Sequence, residues 1–168
     1  MSRELEPNRA IASARRIHAA TSLTVVVDMT VGPRSVVVRL RSHHDKYLTA
    51  EEDEERIIES RNDSAPSAQW EVEFVDKGRT LCFQSCYGRY LVATGEHFLL
   101  GLIVKKVMQD YPGAAARLDS SLKWEPLRKR FQVKLKSSAG QFLCSNGSIP
   151  PWQNSVTHDL PHCTATQD

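Results

Sequence analysis

A few short stretches of this chain carry side chains able to do chemistry. His43-His44-Asp45 sets two imidazoles beside a carboxylate, a pairing suited to proton transfer or metal ligation. His158, His162 and Cys163 put three potential metal ligands within six residues. A zinc site built on them needs a fourth ligand and tetrahedral geometry. Cys82 and Cys86 stand four apart, which is not the knuckle spacing of a structural zinc site, and no paired Cys or His spacing occurs elsewhere. Neither a phosphate-cradling Gly-rich loop nor a nucleophile elbow is present. The sequence therefore predicts no catalytic residue, no resident metal and no cofactor. Charge is the stronger signal. Lys105-Lys106 and the run Leu127-Arg128-Lys129-Arg130-Phe131 are the clearest basic clusters, and Glu51-Glu52-Asp53-Glu54-Glu55 is acidic. Lys105, Lys106, Arg128, Lys129 and Arg130 are the candidate binding residues, fit to meet phosphates or an acidic filament surface. The plainer alternative is a solvated loop.

What positions these residues is a repeat. The stretches around Tyr47, Tyr90 and Phe142 echo one another at offsets of 43 and 52 residues, in or near the range of repeat architectures. Aligned on those aromatics, Val38, Leu81 and Val133 coincide, as do Leu40, Phe83 and Leu135, then Ser42, Ser85 and Ser137, then Leu48, Leu91 and Leu143. Asp45, Gly88 and Gly140 share one turn position, where a left-handed backbone suits Gly and is tolerated by Asp. His43-His44-Asp45 then falls at a hairpin tip. Its counterparts, Cys86-Tyr87-Gly88 and Ser138-Ala139-Gly140, share nothing ligand-like with it, so a polar turn is the expected role.

Each unit reads as strand, tight turn, strand. Val36, Val38 and Leu40 alternate with Val37, Arg39 and Arg41; Phe131, Val133 and Leu135 alternate with Gln132, Lys134 and Lys136. Such period-two patterns mark half-buried strands. The aromatic after each turn, Tyr47, Tyr90 or Phe142, is expected to plug the core, with Leu91 beside Tyr90 in it and Arg89 facing outward. Two further strands per unit are expected: one near 56–61 or 97–108, and one opening at Trp70 or Trp124. Three units of about four strands make an all-β fold, a β-trefoil whose barrel removes exposed sheet edges.

The blocks "VRLRSHHDKYLTAEEDEE", "QWEVEFVD", "CYGRYLVA", "KWEP", "FQVKLKS" and "NSVTHDLPH…TATQD" resemble the plant fascin-like β-trefoil proteins catalogued as a domain of unknown function, within the actin-crosslinking-like superfamily. The resemblance covers about residues 36–168. It implies a non-enzymatic binding module, with actin filaments or another protein as partner, and it brings no catalytic residues with it. The alternative is a carbohydrate-binding trefoil. Lectin repeats carry Gln-x-Trp, whereas this chain has Gln69-Trp70 and Lys123-Trp124.

Two departures from that family pattern stand out. Members continue past the equivalent of Asp168 with a Trp and a last apolar strand, so a trefoil domain at 35–168 is expected to end before its last strand. About 34 residues precede the first strand as an N-terminal extension, 1–34. Within it, Val25, Val27, Met29 and Val31 alternate with Thr24, Val26, Asp28 and Thr30, and Gly32-Pro33 follows as a turn. A strand over 23–31 is expected to fold back on Val36–Arg41 and take the missing strand's place, because an open barrel leaves unpaired edges. Residues 1–20, rich in Arg and Ala, read as a basic tail or frayed helix, with a composition that an organelle transit peptide shares.

Bulk properties narrow the class. A chain of 168 residues suits one domain with a real core, and 25% charged with 40% hydrophobic residues is a globular balance. A net charge of +2 gives no cause to expect nucleic acid. No apolar run reaches the ~18–20 residues of a membrane span, and no secretory signal opens the chain. Four scattered cysteines fit a reducing, cytoplasmic setting. The triplets at Asn62 and Asn146 match a glycosylation acceptor but carry no weight without a secretion signal. Nothing sets the oligomeric state.

Overall fold

The computed structural model describes residues 26–31, 35–97, 105–111, 119–129, 132–146 and 154–159, of which 26–31 and 129 are described by backbone alone. Twelve strands run through them. β1 is Val26–Val31. The first unit holds β2 (Val36–Arg41), β3 (Tyr47–Ala50), β4 (Ile57–Ser60) and β5 (Trp70–Val75). The second holds β6 (Thr80–Gln84), β7 (Tyr90–His97), β8 (Lys105–Asp110) and β9 (Trp124–Lys129). The third holds β10 (Gln132–Ser137), β11 (Phe142–Ser145) and β12 (Val156–Asp159). The expected third strand of unit two thus begins at Lys105, and His97 closes the strand before it.

Barrel strands pair in the order β2, β5, β6, β9, β10, all antiparallel. The hairpins β3–β4, β7–β8 and β11–β12 form a cap over one end. Contacts between neighbouring units join the cap: Ile58 bridges Ser155, Arg56 bridges Met108, and Thr157 pairs with Lys106. β1 pairs along the whole of β2, from Val26 opposite Arg41 to Val31 opposite Val36. β2 therefore has a neighbour on each side, and β1 occupies the edge where a third unit's last barrel strand belongs. Residues 1–25, including the expected strand positions 23–25 and the basic segment 1–20, lie outside the described residues.

The repeated residues are repeated in structure. Backbone N–H groups of Ser42, Ser85 and Ser137 donate to the carbonyls of Lys46, Arg89 and Gln141 at 2.7, 2.8 and 2.7 Å. Asp45, Gly88 and Gly140 hold φ of 55°, 76° and 77°, the left-handed turn that the sequence pattern predicts. The indole N–H of Trp70 donates to the Leu48 carbonyl and that of Trp124 to the Leu91 carbonyl, each at 3.0 Å. Each tryptophan thereby ties the start of a barrel strand to the cap hairpin of its own unit.

One expectation is overturned. Tyr47, Tyr90 and Phe142 are half-buried, whereas Leu48, Leu91 and Leu143 are 0%, 0% and 2% exposed. Adjacent strand residues point to opposite faces, so only one of the two can enter the core. The leucines join Val38, Leu40, Trp70, Phe83, Trp124 and Leu135 there. Tyr90 instead packs beside Cys82, Val92 and Leu122, with its hydroxyl 3.2 Å from Glu73 Oε2. Arg89 is likewise half-buried rather than outward, its Nε 2.9 Å from Glu54 Oε2.

Candidate functional site

The candidate binding residues fall on two different parts of the fold. Lys105 and Lys106 open cap strand β8 and are half-buried. Lys106 Nζ lies 3.5 Å from Glu96 Oε2, so part of its charge is already answered. Arg128 is exposed near the end of barrel strand β9, and Lys129 pairs with Gln132 across the turn into β10. Arg130 lies outside the described residues. The fold does not merge the two clusters: one sits in the cap, the other at the turn from unit two into unit three, at the barrel end away from the cap.

Of the histidine and cysteine candidates, His43-His44-Asp45 forms the β2–β3 turn, with the two rings 3.8 Å apart and Asp45 paired to Arg41. Cys86 is exposed at the equivalent turn. Cys82 is buried, and desolvation raises its thiol to about 11. Burial pushes Cys144 up to about 12. Both are protonated at neutral pH and poor nucleophiles. His162 and Cys163 lie outside the described residues. His158 is inside the cap, 1% exposed. Among the described residues no three His, Cys, Asp or Glu side chains gather to hold a metal ion.

His158 belongs instead to a set that residue identities conceal. It faces Leu143 across β11–β12; Gln109 faces Leu91 across β7–β8; Glu59 faces Leu48 across β3–β4. One polar position per unit is thus buried beside the core leucine, at 1%, 2% and 2% exposure. Each meets a partner, as a buried polar group must. Ser145 Oγ donates to Glu59 Oε1. Ser85 Oγ lies 2.8 Å from Gln109 Oε1, and the Gln109 amide donates to the Arg56 carbonyl at 3.0 Å. His158 Nε2 lies 2.7 Å from the Thr94 carbonyl, which requires the proton on Nε2 and leaves Nδ1 as a lone pair without a partner among the described residues. Burial, with Lys105 adding to it, holds this imidazole below its ordinary pKa. Sequence reasoning missed the set because three side chains of different types share no motif. Only the strand register reveals their equivalence.

A shallow cavity of about 400 Å³ opens between the β5–β6 turn, the start of β9 and the β10–β11 turn. Its charges are internally balanced. Lys123 Nζ is 3.1 Å from Asp76 Oδ2, and Lys136 Nζ is 2.6 Å from Glu125 Oε2. The Thr80 hydroxyl, and then Lys123, hold the Asp76 carboxyl below its usual range. Trp70 and Trp124, nearest to a lectin repeat signature, are fully buried and offer no ring face to a sugar.

The three-unit barrel and cap agree with the comparison to known families. The profile of a β-trefoil domain of unknown function, DUF569, matches residues 29–168. The chain belongs to this family. No curated protein matches it. Among solved structures it is similar to the cytolethal distending toxin of Haemophilus ducreyi, with a TM-score of 0.60 and 16% identity over 79% of this chain and 76% of that one. The cytolethal distending toxin of Actinobacillus actinomycetemcomitans matches at 0.60 and 16%, over 79% and 83% of the two chains. The designed threefold-symmetric protein ThreeFoil matches at 0.59 and 14%, over 74% and 89%. At such identities these likenesses establish the fold, and fold leaves function open.

Proposed function

We propose that this DUF569 chain is a non-enzymatic binding module of the fascin-like kind, cytoplasmic and of plant origin. In this reading it docks the acidic surface of an actin filament through its basic β9–β10 turn. The observation that carries it is the exposure of Arg128 at the barrel end, with Lys129 and Arg130 next in sequence. A compact run of cations gives an acidic surface long-range attraction. The buried polar side chains Glu59, Gln109 and His158 are engaged in joining the cap, which leaves them poorly placed to meet a substrate.

Bundling needs two separated filament sites, so a single trefoil is expected to bind filaments without cross-linking them. Co-sedimentation with filamentous actin tests this. The protein should pellet with filaments at high speed and not increase pelleting at low speed. Charge reversal at Arg128, Lys129 and Arg130 to Glu should abolish it. Absence of pelleting at either speed rejects the actin reading.

A further inference from the structure

Strand β5 carries an apolar row that leaves the core. Trp70 is 0% exposed, Val72 is half-buried against the core, and Phe74, next on the same face, is 61% exposed. Among the described residues only Phe74 and Tyr111 are large apolar side chains left in solvent. In β9 the corresponding row runs Trp124, Pro126, Arg128. Phe74 and Arg128 are therefore equivalent positions, each four residues from its buried tryptophan. Both stand at the barrel end away from the cap, one aromatic and one cationic.

The turn after Phe74 has its own cations. Lys77 and Arg79 are exposed, whereas Asp76 beside them is committed to Thr80 and Lys123. β6 lies between β5 and β9, with Leu81 paired to Phe74 on one side and to Trp124 on the other. The 76–79 turn lies beside the start of β9, where Lys123 meets Asp76, and the β9–β10 turn closes the far end of that strand; the two are equivalent turns one unit apart around the barrel. An exposed aromatic with exposed cations in the turn beside it suits a partner that brings both negative charge and an apolar side chain.

We propose that the open end of the barrel is a protein-docking face, with Phe74 as its aromatic anchor and Lys77, Arg79 and Arg128 as its charge complement. Its partner is an acidic polypeptide segment that presents apolar side chains. This deepens the preceding reading, on whose basic turn it rests, by adding a second turn and an apolar contact.

The test uses the full chain and a fluorescein-labelled peptide of alternating Asp and Leu, with an alternating Asp and Ser peptide as control, read by fluorescence anisotropy. The native protein should bind the Asp–Leu peptide more tightly than the Asp–Ser peptide. Phe74→Ala should weaken the first by roughly tenfold or more, the scale of an interface anchor, and leave the second unchanged. Arg79→Glu with Arg128→Glu should weaken both and flatten their salt dependence. Phe74 is exposed, so its variant should keep the native urea midpoint. No binding of the Asp–Leu peptide, or equal binding by Phe74→Ala, overturns the proposal. So does Phe74-dependent flotation with phosphatidylserine vesicles in the absence of peptide binding, which would assign the face to a lipid surface. Peptide binding that needs Phe74, in a protein that fails to pellet with actin, upholds this face and rejects only the actin partner. Actin pelleting unaffected by Phe74→Ala does the reverse.

Discussion

Leu48, Leu91 and Leu143 should carry the cap, and their aromatic neighbours should not. The perturbation is a set of paired truncations: each leucine to Ala, and separately Tyr47, Tyr90 and Phe142 to Ala. The leucines are at most 2% exposed and lie among Val38, Trp70, Phe83, Trp124 and Leu135. Truncation removes a buried side chain and leaves a cavity that a closed barrel cannot collapse, a loss of about 3–4 kcal/mol each. The aromatics are half-buried. Full burial would put their truncation at ~3–5 kcal/mol, so half of that, about 1.5–2.5 kcal/mol, is expected. Against a total of roughly 5–15 kcal/mol, a leucine variant loses a large fraction of its stability. Urea unfolding followed by tryptophan fluorescence resolves the difference. With a slope of about 2 kcal/mol/M, the leucine variants should shift the midpoint by ~1.5–2 M and the aromatic variants by ~0.75–1.25 M. If the aromatic variants lose more than their adjacent leucines in two of the three units, the assignment of the core face is wrong.

Three further outcomes follow from the same structure. His158 is held below its ordinary pKa by burial, so the unfolded chain takes up its proton first as pH falls. Stability should therefore drop as pH falls below ~6.5. His158→Gln, which places the unit-two side chain in unit three, should remove that part of the slope in urea midpoints measured between pH 5 and 8; identical slopes would refute it. Gly88 sits at φ of 76° with no atom closer than 3.9 Å to an added methyl, so Gly88→Ala should cost ~1–2 kcal/mol through backbone strain alone, read as a urea midpoint shift. In a Cys163→Ser background, one thiol, Cys86, should react rapidly with Ellman's reagent, and Cys82 and Cys144 only on unfolding. Rapid release of more than one equivalent would contradict the burial of the other two.

Much of the architecture is legible in the sequence because the repeat writes it three times. The turn positions Asp45, Gly88 and Gly140 and the strand-opening Trp70 and Trp124 mark where strands begin and reverse. The strand at Val26–Val31 shows itself by alternation followed by Gly32-Pro33. Legibility fails where the outcome depends on which face of a strand meets the core. Tyr47 and Leu48 are both apolar enough for burial, and only the barrel's geometry decides between them. It fails again for Phe74, whose exposure follows from where the barrel ends, a property of the closed sheet and not of the string "QWEVEF". It fails for His158, whose partner Thr94 lies 64 residues away.

Those failures share a cause that bears on function. A threefold repeat constrains the positions its units have in common: the turn residue, the core leucine, the tryptophan tied to the hairpin carbonyl. Side chains there answer to packing, and their agreement between units reports the fold. Binding a particular partner requires a surface that does not look the same after a one-third turn. That surface can come only from positions at which the repeats disagree. Glu59, Gln109 and His158 disagree but are buried, so their differences tune the joints between units. Phe74 and Arg128 disagree and are exposed, at equivalent places on adjacent rims of the barrel. An aromatic on one rim and a guanidinium on the next give the open end a direction around its axis, and a partner that uses both can dock in a single orientation.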